Sequence, residues 1–150
     1  PEYKQPLSLV RGFGSMNGVA NADLVTRVAG YVQSSGNPAS YSSAGGLLNT
    51  DDPAPPTWGQ HVDICAVSDR SPVLPGTVAQ GVYSGARSIL IGTSGAAPQV
   101  ARSIVRALAN GQDPMSGLTP QTYTYDNPVK NTQLKARLGG YKTPPLWAGG

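Results

Sequence analysis

Residues 88–111 read SILIGTSGAAPQVARSIVRALANG: a short apolar run, a glycine, two hydroxyl residues, then an alanine-rich segment. SILI at 88–91 reads as a short extended run that stops at Gly92. Beyond it Ala97, Ala101, Ile104 and Leu108 recur at spacings of four, three and four, and Val100 and Val105 widen the stripe. That spacing predicts a helix with one face built for burial. Pro98 lacks the amide that an interior helical residue donates and is tolerated only in the first turn, so the helix is expected to begin near Thr93 or Ser94. Gly111, after Asn110, supplies the stop.

Upstream, ADLVTRVAGYV at 22–32 is a β-branched and apolar run that predicts a buried strand, closed by the turn-forming SSGNP. PASYSSAGG and then LLNTDDPAPPTWGQ read as loop before a second short strand at Val62–Val67, and turn signals return in SDRSPVLPG. Downstream, Gln112–Gly150 is rich in Pro, Thr, Tyr and Gly, and is expected to be irregular structure wrapped over a core, with extended runs such as QTYTY and a surface-bound tail. No internal repeat is present.

A chain of 150 residues with 39% hydrophobic content has room for one domain, or part of one, with a real core. Charged residues make up only 13%, while 19 glycines and 14 prolines point to many tight turns. The net charge of +3 is dispersed without any block of like charge, so no nucleic-acid partner is implied. Lys130, Lys135, Arg137 and Lys142 lack interleaved aromatics and read as solvated surface. Cys65, the single cysteine, excludes an internal disulfide and a cysteine-based zinc cage. Its apolar neighbours Val62, Ile64, Ala66 and Val67 make it a buried, inert thiol. No apolar stretch is long enough to span a bilayer, and PEYKQPLSLV is not a signal peptide. Opening on Pro1 rather than Met, the sequence is expected to begin partway through a longer precursor.

The order strand, glycine, Thr93, Ser94, helix places a hydroxyl at a helix N-terminus, where unpaired amides and the positive dipole end favour developing negative charge. A serine there can attack a carbonyl, and its own N–H can point at the oxyanion that forms. Gly92, Gly95, Ala96 and Ala97 are small enough to let a substrate backbone come close. The plain alternative is that Thr93 or Ser94 caps the helix.

GTSGAAPQVA, Gly92–Ala101, resembles the serine signature of the subtilisin-like proteases: Gly-Thr-Ser, a variable residue, Ala, Ala or Ser, Pro, a variable residue, Val-Ala. Two further stretches fall in the order that family would have them. VTRVAGY followed by PASYSSAG resembles its strand and loop before the serine, and VDICAVSD resembles its Asp-Val-x-Ala-Pro segment. The resemblance covers about Leu24–Leu108, with 1–21 and 112–150 matched only loosely. Val67 stands where the family commonly has Pro, Arg102 where it has Gly, and Gln99 where it has His. The resemblance implies an α/β fold: the C-terminal portion of one subtilisin-like, doubly wound, mainly parallel sheet with flanking helices, incomplete without a companion chain. It implies a serine endopeptidase with Ser94 as nucleophile, supported at the oxyanion and substrate cleft by Gly92 and Thr93.

In that family the base is a His in an HGT-type motif, far upstream of the serine and oriented by an Asp in a DTG-type motif. Neither motif is present. His61, the only histidine, stands about thirty positions before Ser94 and reads as a loop or strand-end residue; Asp51, Asp52, Asp63 and Asp69 match the orienting acid no better. The family's oxyanion-hole Asn would fall near Gln5 or earlier, where no Asn stands, and Asn17 and Asn21 are too close to the strand. The resemblance therefore implies an N-terminal companion segment carrying the Asp and His, released from the same precursor by autoprocessing and retained as a heterodimer, because half a parallel sheet leaves an apolar edge to cover. The remaining partner is a peptide or protein substrate. Another class of function, a non-catalytic subtilase-like subunit that binds peptide or a partner protein, is marked by a companion lacking the His or Asp. An α/β-hydrolase esterase needs a GxSxG elbow, but Ala96 stands two after Ser94 and no His follows. Calcium is frequent in the family, though no acidic cluster fixes a site, and a secreted or periplasmic location is implied.

Overall fold

The computed structural model describes residue 20 and residues 24–45, 62–124, 126 and 128–144. Along the chain these form β1 (Val28–Val32), β2 (Ile64–Asp69), β3 (Thr77–Gln80), β4 (Arg87–Leu90), α1 (Thr93–Ala109), β5 (Thr119–Pro120), α2 (Pro128–Leu138) and β6 (Tyr141–Lys142). β1 pairs with β2 in parallel, Val28 opposite Ile64, and β2 pairs in parallel with β6. β5 adds antiparallel to β6, giving the spatial order β1-β2-β6-β5, while β3 and β4 form a separate antiparallel pair. The chain is α/β, with a mixed sheet.

Side chains alternate across β2, and each face meets a helix. Ile64 and Ala66 pack against Ala96 and Val100 of α1 together with Leu118. Cys65 and Val67 point the other way, into a cluster with Ala29, Tyr31, Val62 and Leu138 of α2. Burial on both faces is why this strand reads as an unbroken apolar run instead of an alternating one. Val62 precedes β2 yet is buried, and the strand continues past the expected Val67 to Asp69.

α1 runs from Thr93 to Ala109, starting where the sequence predicts, with Gly111 (φ 66°) just past its C-cap Asn110; Pro98, expected in the first turn, is instead the sixth helical residue. Its buried face differs from the expected one. Gly95, Ala96, Gln99, Val100 and Ala107 are buried and Ile104 partly so, whereas Ala97, Ala101, Val105 and Leu108 are exposed. Because α1 is apolar around most of its circumference, periodicity alone offers two stripes. The sheet takes the one carrying Gln99, whose side-chain amide finds carbonyl partners there.

Further expectations are corrected. The strand predicted over 22–32 begins at Val28; Leu24 has φ 63° and lies at a turn, so the described part of the segment before the strand is not extended throughout. The final third is not irregular: Pro128 opens a helix, for which its fixed φ is preorganised, and β6 inserts beside β2. The outer edge of β1 is not bare, since Gly30 accepts from the Ala39 N–H and donates to Ser42 Oγ, while the Val32 N–H donates to the Asn37 carbonyl. Nor are all four basic residues simply solvated. Lys142 Nζ lies 4.0 Å from the centroid of the Tyr31 ring, and Arg137 donates to the Ala39 carbonyl. Among the described residues no helix is long and apolar enough to cross a membrane.

Candidate active site

Ser94 is the second residue of α1 and is exposed. The N-cap is Gly92, with φ 125° and ψ 167°, and it makes no side-chain cap hydrogen bond. That backbone conformation is essentially confined to glycine, so a glycine before the Thr-Ser pair is a geometric requirement of this turn. The capping role considered for Thr93 and Ser94 is thereby excluded, because both residues lie inside the helix. The first turn holds no acidic residue, and its Gly95 N–H donates to the Gly92 carbonyl at 3.0 Å. Amides at such a terminus have no intrahelical acceptor and can serve a developing oxyanion.

The turn is seated closely on the sheet. A Cβ on Gly30 would collide with the Ser68 side chain, so the glycine in β1 leaves room for Ser68, with Thr93 Cγ2 at ordinary contact distance above it. Beneath Ser94, Gln99 Nε2 donates to the Val67 and Gly95 carbonyls, each at 2.7 Å, tying the helix mouth to β2. Among the described residues no donor reaches the buried Gln99 Oε1. Gly95 faces Leu90 Cδ2 and Thr77 Oγ1, so the β3–β4 pair borders the same turn.

A second set of residues closes the carboxyl end of β2. Asp69 is buried; its Oδ2 accepts from the Tyr41 hydroxyl at 2.7 Å and its Oδ1 from the Gly76 N–H. Burial, and then the neighbouring Asp69 carboxylate, raises the Tyr41 phenol above its ordinary range. Sequence reading passed over Tyr41, noted Gln99 only as a departure from the family's His, and weighed Asp69 only as a triad acid. The signal for Tyr41 was an aromatic hydroxyl in the SYSS loop, visible only as a member of a matched stretch.

The other candidates fall elsewhere. His61, Asp51, Asp52, Gln5, Asn17 and Asn21 lie outside the described residues. Asp63 sits at the amino end of β2, about 20 Å of extended strand from Asp69. There it accepts from the Arg27 backbone N–H at 2.8 Å and forms an ion pair with its guanidinium at 3.4 Å. Cys65 is buried, accepts from Gln121 Nε2, and has its thiol pushed up to about 11 by desolvation, leaving about one molecule in ten thousand as thiolate at neutral pH. Among the described residues no three His, Cys, Asp or Glu side chains come together where they could hold a metal ion. Compared with protein-family models, curated proteins and solved structures, the chain matches none.

Proposed function

We propose that this chain supplies the nucleophile of a subtilisin-like serine endopeptidase, as the C-terminal portion of a doubly wound catalytic domain. The observation that carries the reading is the placement of Ser94: an exposed hydroxyl one residue inside a 17-residue helix, behind a glycine N-cap that, among the described residues, leaves the helix mouth without a side-chain cap. The order of the GTSGAAPQVA, VTRVAGY and VDICAVSD stretches supports the family assignment.

In the proposed reaction a His of the N-terminal companion segment takes the proton from Ser94 Oγ as the oxygen attacks the scissile carbonyl. The resulting oxyanion is held at the helix mouth by the Ser94 N–H, with Gly92 and Thr93 shaping the cleft. The same His returns the proton to the leaving amine, an Asp of the companion fixes its tautomer, and water then releases the acyl group from Ser94. Exposed Val105 and Leu108 on α1 are surfaces such a companion would cover. Processing of a common precursor in a secreted or periplasmic setting would give the two-chain form.

The test is active-site labelling of the chain together with whatever copurifies with it, using a fluorophosphonate or sulfonyl fluoride. An adduct mapped by mass spectrometry to Ser94, and lost in Ser94→Ala, is expected. Absence of the adduct from an intact complex overturns the endopeptidase reading and favours a non-catalytic binding subunit.

A further inference from the structure

Among the described residues the chain guards both edges of its larger sheet and leaves one edge of the smaller sheet open. On β1 the outward backbone groups are taken by the chain's own loop. The Gly30 N–H donates to Ser42 Oγ and the Gly30 carbonyl accepts from the Ala39 N–H, while Val32 is bonded in the same way to Asn37 and Gly36. At the far edge β5 is two residues long and ends on Pro120. β4 has neither protection. It pairs with β3 on one side, Val78 opposite Ile89 and Gln80 opposite Arg87, in unbroken register, and all four of its residues are exposed. The Gly81 N–H donates to the Ala86 carbonyl, which sets the alternation beyond it: Ser88 and Leu90 bond to β3, and the backbone groups of Arg87, Ile89 and Ile91 point outward. Among the described residues none pairs with them. A Cβ on Gly76 would meet both Ile89 Cγ2 and Ile91 Cγ1, so those two side chains share one face, and both are exposed. A strand edge with an apolar face, no proline and no bulge is a template for another strand.

We propose that β4 pairs antiparallel with β4 of a second copy of this chain, about a two-fold axis at Ile89. The strand's own pattern selects this occupant. Centred there, the pairing uses all three outward residues: Ile89 exchanges hydrogen bonds with the partner's Ile89, and Arg87 exchanges them with the partner's Ile91. A two-fold axis at Ser88 or at Leu90 leaves one of the three unused. Charge fits the same register. Arg87 is the only charged residue in 71–91, and the antiparallel arrangement sets the two guanidinium groups at opposite ends of the paired strands. The result is one antiparallel sheet, β3-β4-β4-β3, with Ile89 against the partner's Ile89 at its centre. The register also carries the hairpin tip, where Val82 and Tyr83 are exposed, toward the partner's serine turn. These side chains and the strand edge together offer on the order of 600 Å² per partner, the size of a weak and reversible interface. The companion polypeptide is thereby left to other faces, the outer side of α1 among them.

The pairing does not depend on the endopeptidase reading, and it is tested on the full chain together with whatever copurifies with it. Sedimentation velocity across the micromolar range is expected to show a reversible step from one to two copies of this chain per particle. Ile89→Lys sets two ammonium groups opposite each other across the axis and should weaken that step at least tenfold, whereas Val73→Lys, in the loop after β2, should leave it unchanged. Ile89→Cys reads the register itself. Facing residues of a hydrogen-bonded antiparallel pair have Cα atoms about 5.5 Å apart, within the span of a disulfide. Mild oxidation with diamide should therefore link two copies through position 89 in high yield and leave Val73→Cys unlinked; Cys65 is buried and does not compete. Both substitutions at position 89 replace an exposed side chain, and unchanged melting temperatures establish that the variants fold. A chain that stays single at every concentration overturns the proposal, as does linkage of Val73→Cys as ready as that of Ile89→Cys. Growth past two copies also overturns it, because a two-fold contact closes on itself. Release of a copurifying polypeptide by Ile89→Lys, with self-association unaltered, would assign the edge to that polypeptide and overturn it equally.

Discussion

Gln99 donates its side-chain amide to the Val67 carbonyl of β2 and to the Gly95 carbonyl one turn earlier in its own helix, both at 2.7 Å. The two bonds fasten the mouth of α1 to the sheet at a point directly beneath Ser94. Gln99→Leu would preserve most of the volume while leaving the buried Val67 carbonyl without this donor. A loss of about 1–3 kcal/mol is expected, read as a lower urea midpoint with unchanged m-value. Gln99→His, which keeps one ring N–H donor, should lose less. Equal destabilisation by Leu and His would mean that the amide's hydrogen bonds contribute nothing.

Ser94→Ala separates a nucleophile from a cap. An N-cap serine typically contributes about 1 kcal/mol, but Ser94 lies inside the helix and is exposed. Substitution should change stability by no more than about 0.5 kcal/mol while removing all serine-directed labelling. A melting temperature that drops by several degrees in Ser94→Ala would restore the capping role.

Gly92→Ala puts a Cβ where φ is 125° and ψ 167°. The expected cost is about 1–3 kcal/mol, or else a relaxed turn in which Ser94 no longer faces the cleft. Either outcome reduces labelling, and a circular-dichroism melt distinguishes them. Full labelling with wild-type stability would show that the turn does not require glycine.

Cys65 makes stability depend on alkaline pH. Its thiol is raised from an ordinary value near 9 to about 11, first by burial, so the folded chain holds that proton more tightly than the unfolded one. The contribution is complete below about pH 9 and is lost as pH rises through about 11. Tyr31 and Tyr123 are raised by burial as well, from an ordinary value of 10, and add to the loss from about pH 10 upward. Urea midpoints should therefore fall between pH 9 and 11, by an amount on the order of 2 kcal/mol from the thiol. Cys65→Ala should flatten that part of the profile, and an identical slope in the variant would assign the effect elsewhere.

How much of this was legible beforehand follows the local physics of each element. The stop of α1 was readable because Gly111 punctuates the backbone regardless of what packs around it, whereas Pro98 lies beyond the first turn in which it was expected. Its buried face was not, since Ala96/Val100 and Ala97/Ala101 are equivalent stripes until the sheet selects one. α2 was hidden by a polar composition: among its described side chains Leu134, Ala136 and Leu138 reach the core, from a segment that otherwise reads as loop. Ser94 could be found because nucleophile, glycine and helix are contiguous in sequence. Tyr41 and Asp69 could not, since 28 positions separate two groups that meet only once β1 and β2 have paired.

The rejected stripe of α1 leads to a final prediction. Val105 and Leu108 are 64% and 55% exposed, and with Ala97 and Ala101 they form an apolar face opposite the one seated on β1 and β2. An exposed valine on a helix contributes little to the stability of its own chain, so Val105→Asp should shift the midpoint by no more than about 0.5 kcal/mol. If a companion segment covers this face in the assembled enzyme, the same substitution places a charge in an apolar contact and should weaken association at least tenfold. Size-exclusion chromatography or titration calorimetry on the copurified pair reads that difference. Val73→Asp, at an exposed position in the loop after β2, serves as the control. Dissociation by Val105→Asp alone would locate the companion on this helix, whereas a complex that tolerates it must be held through other surfaces.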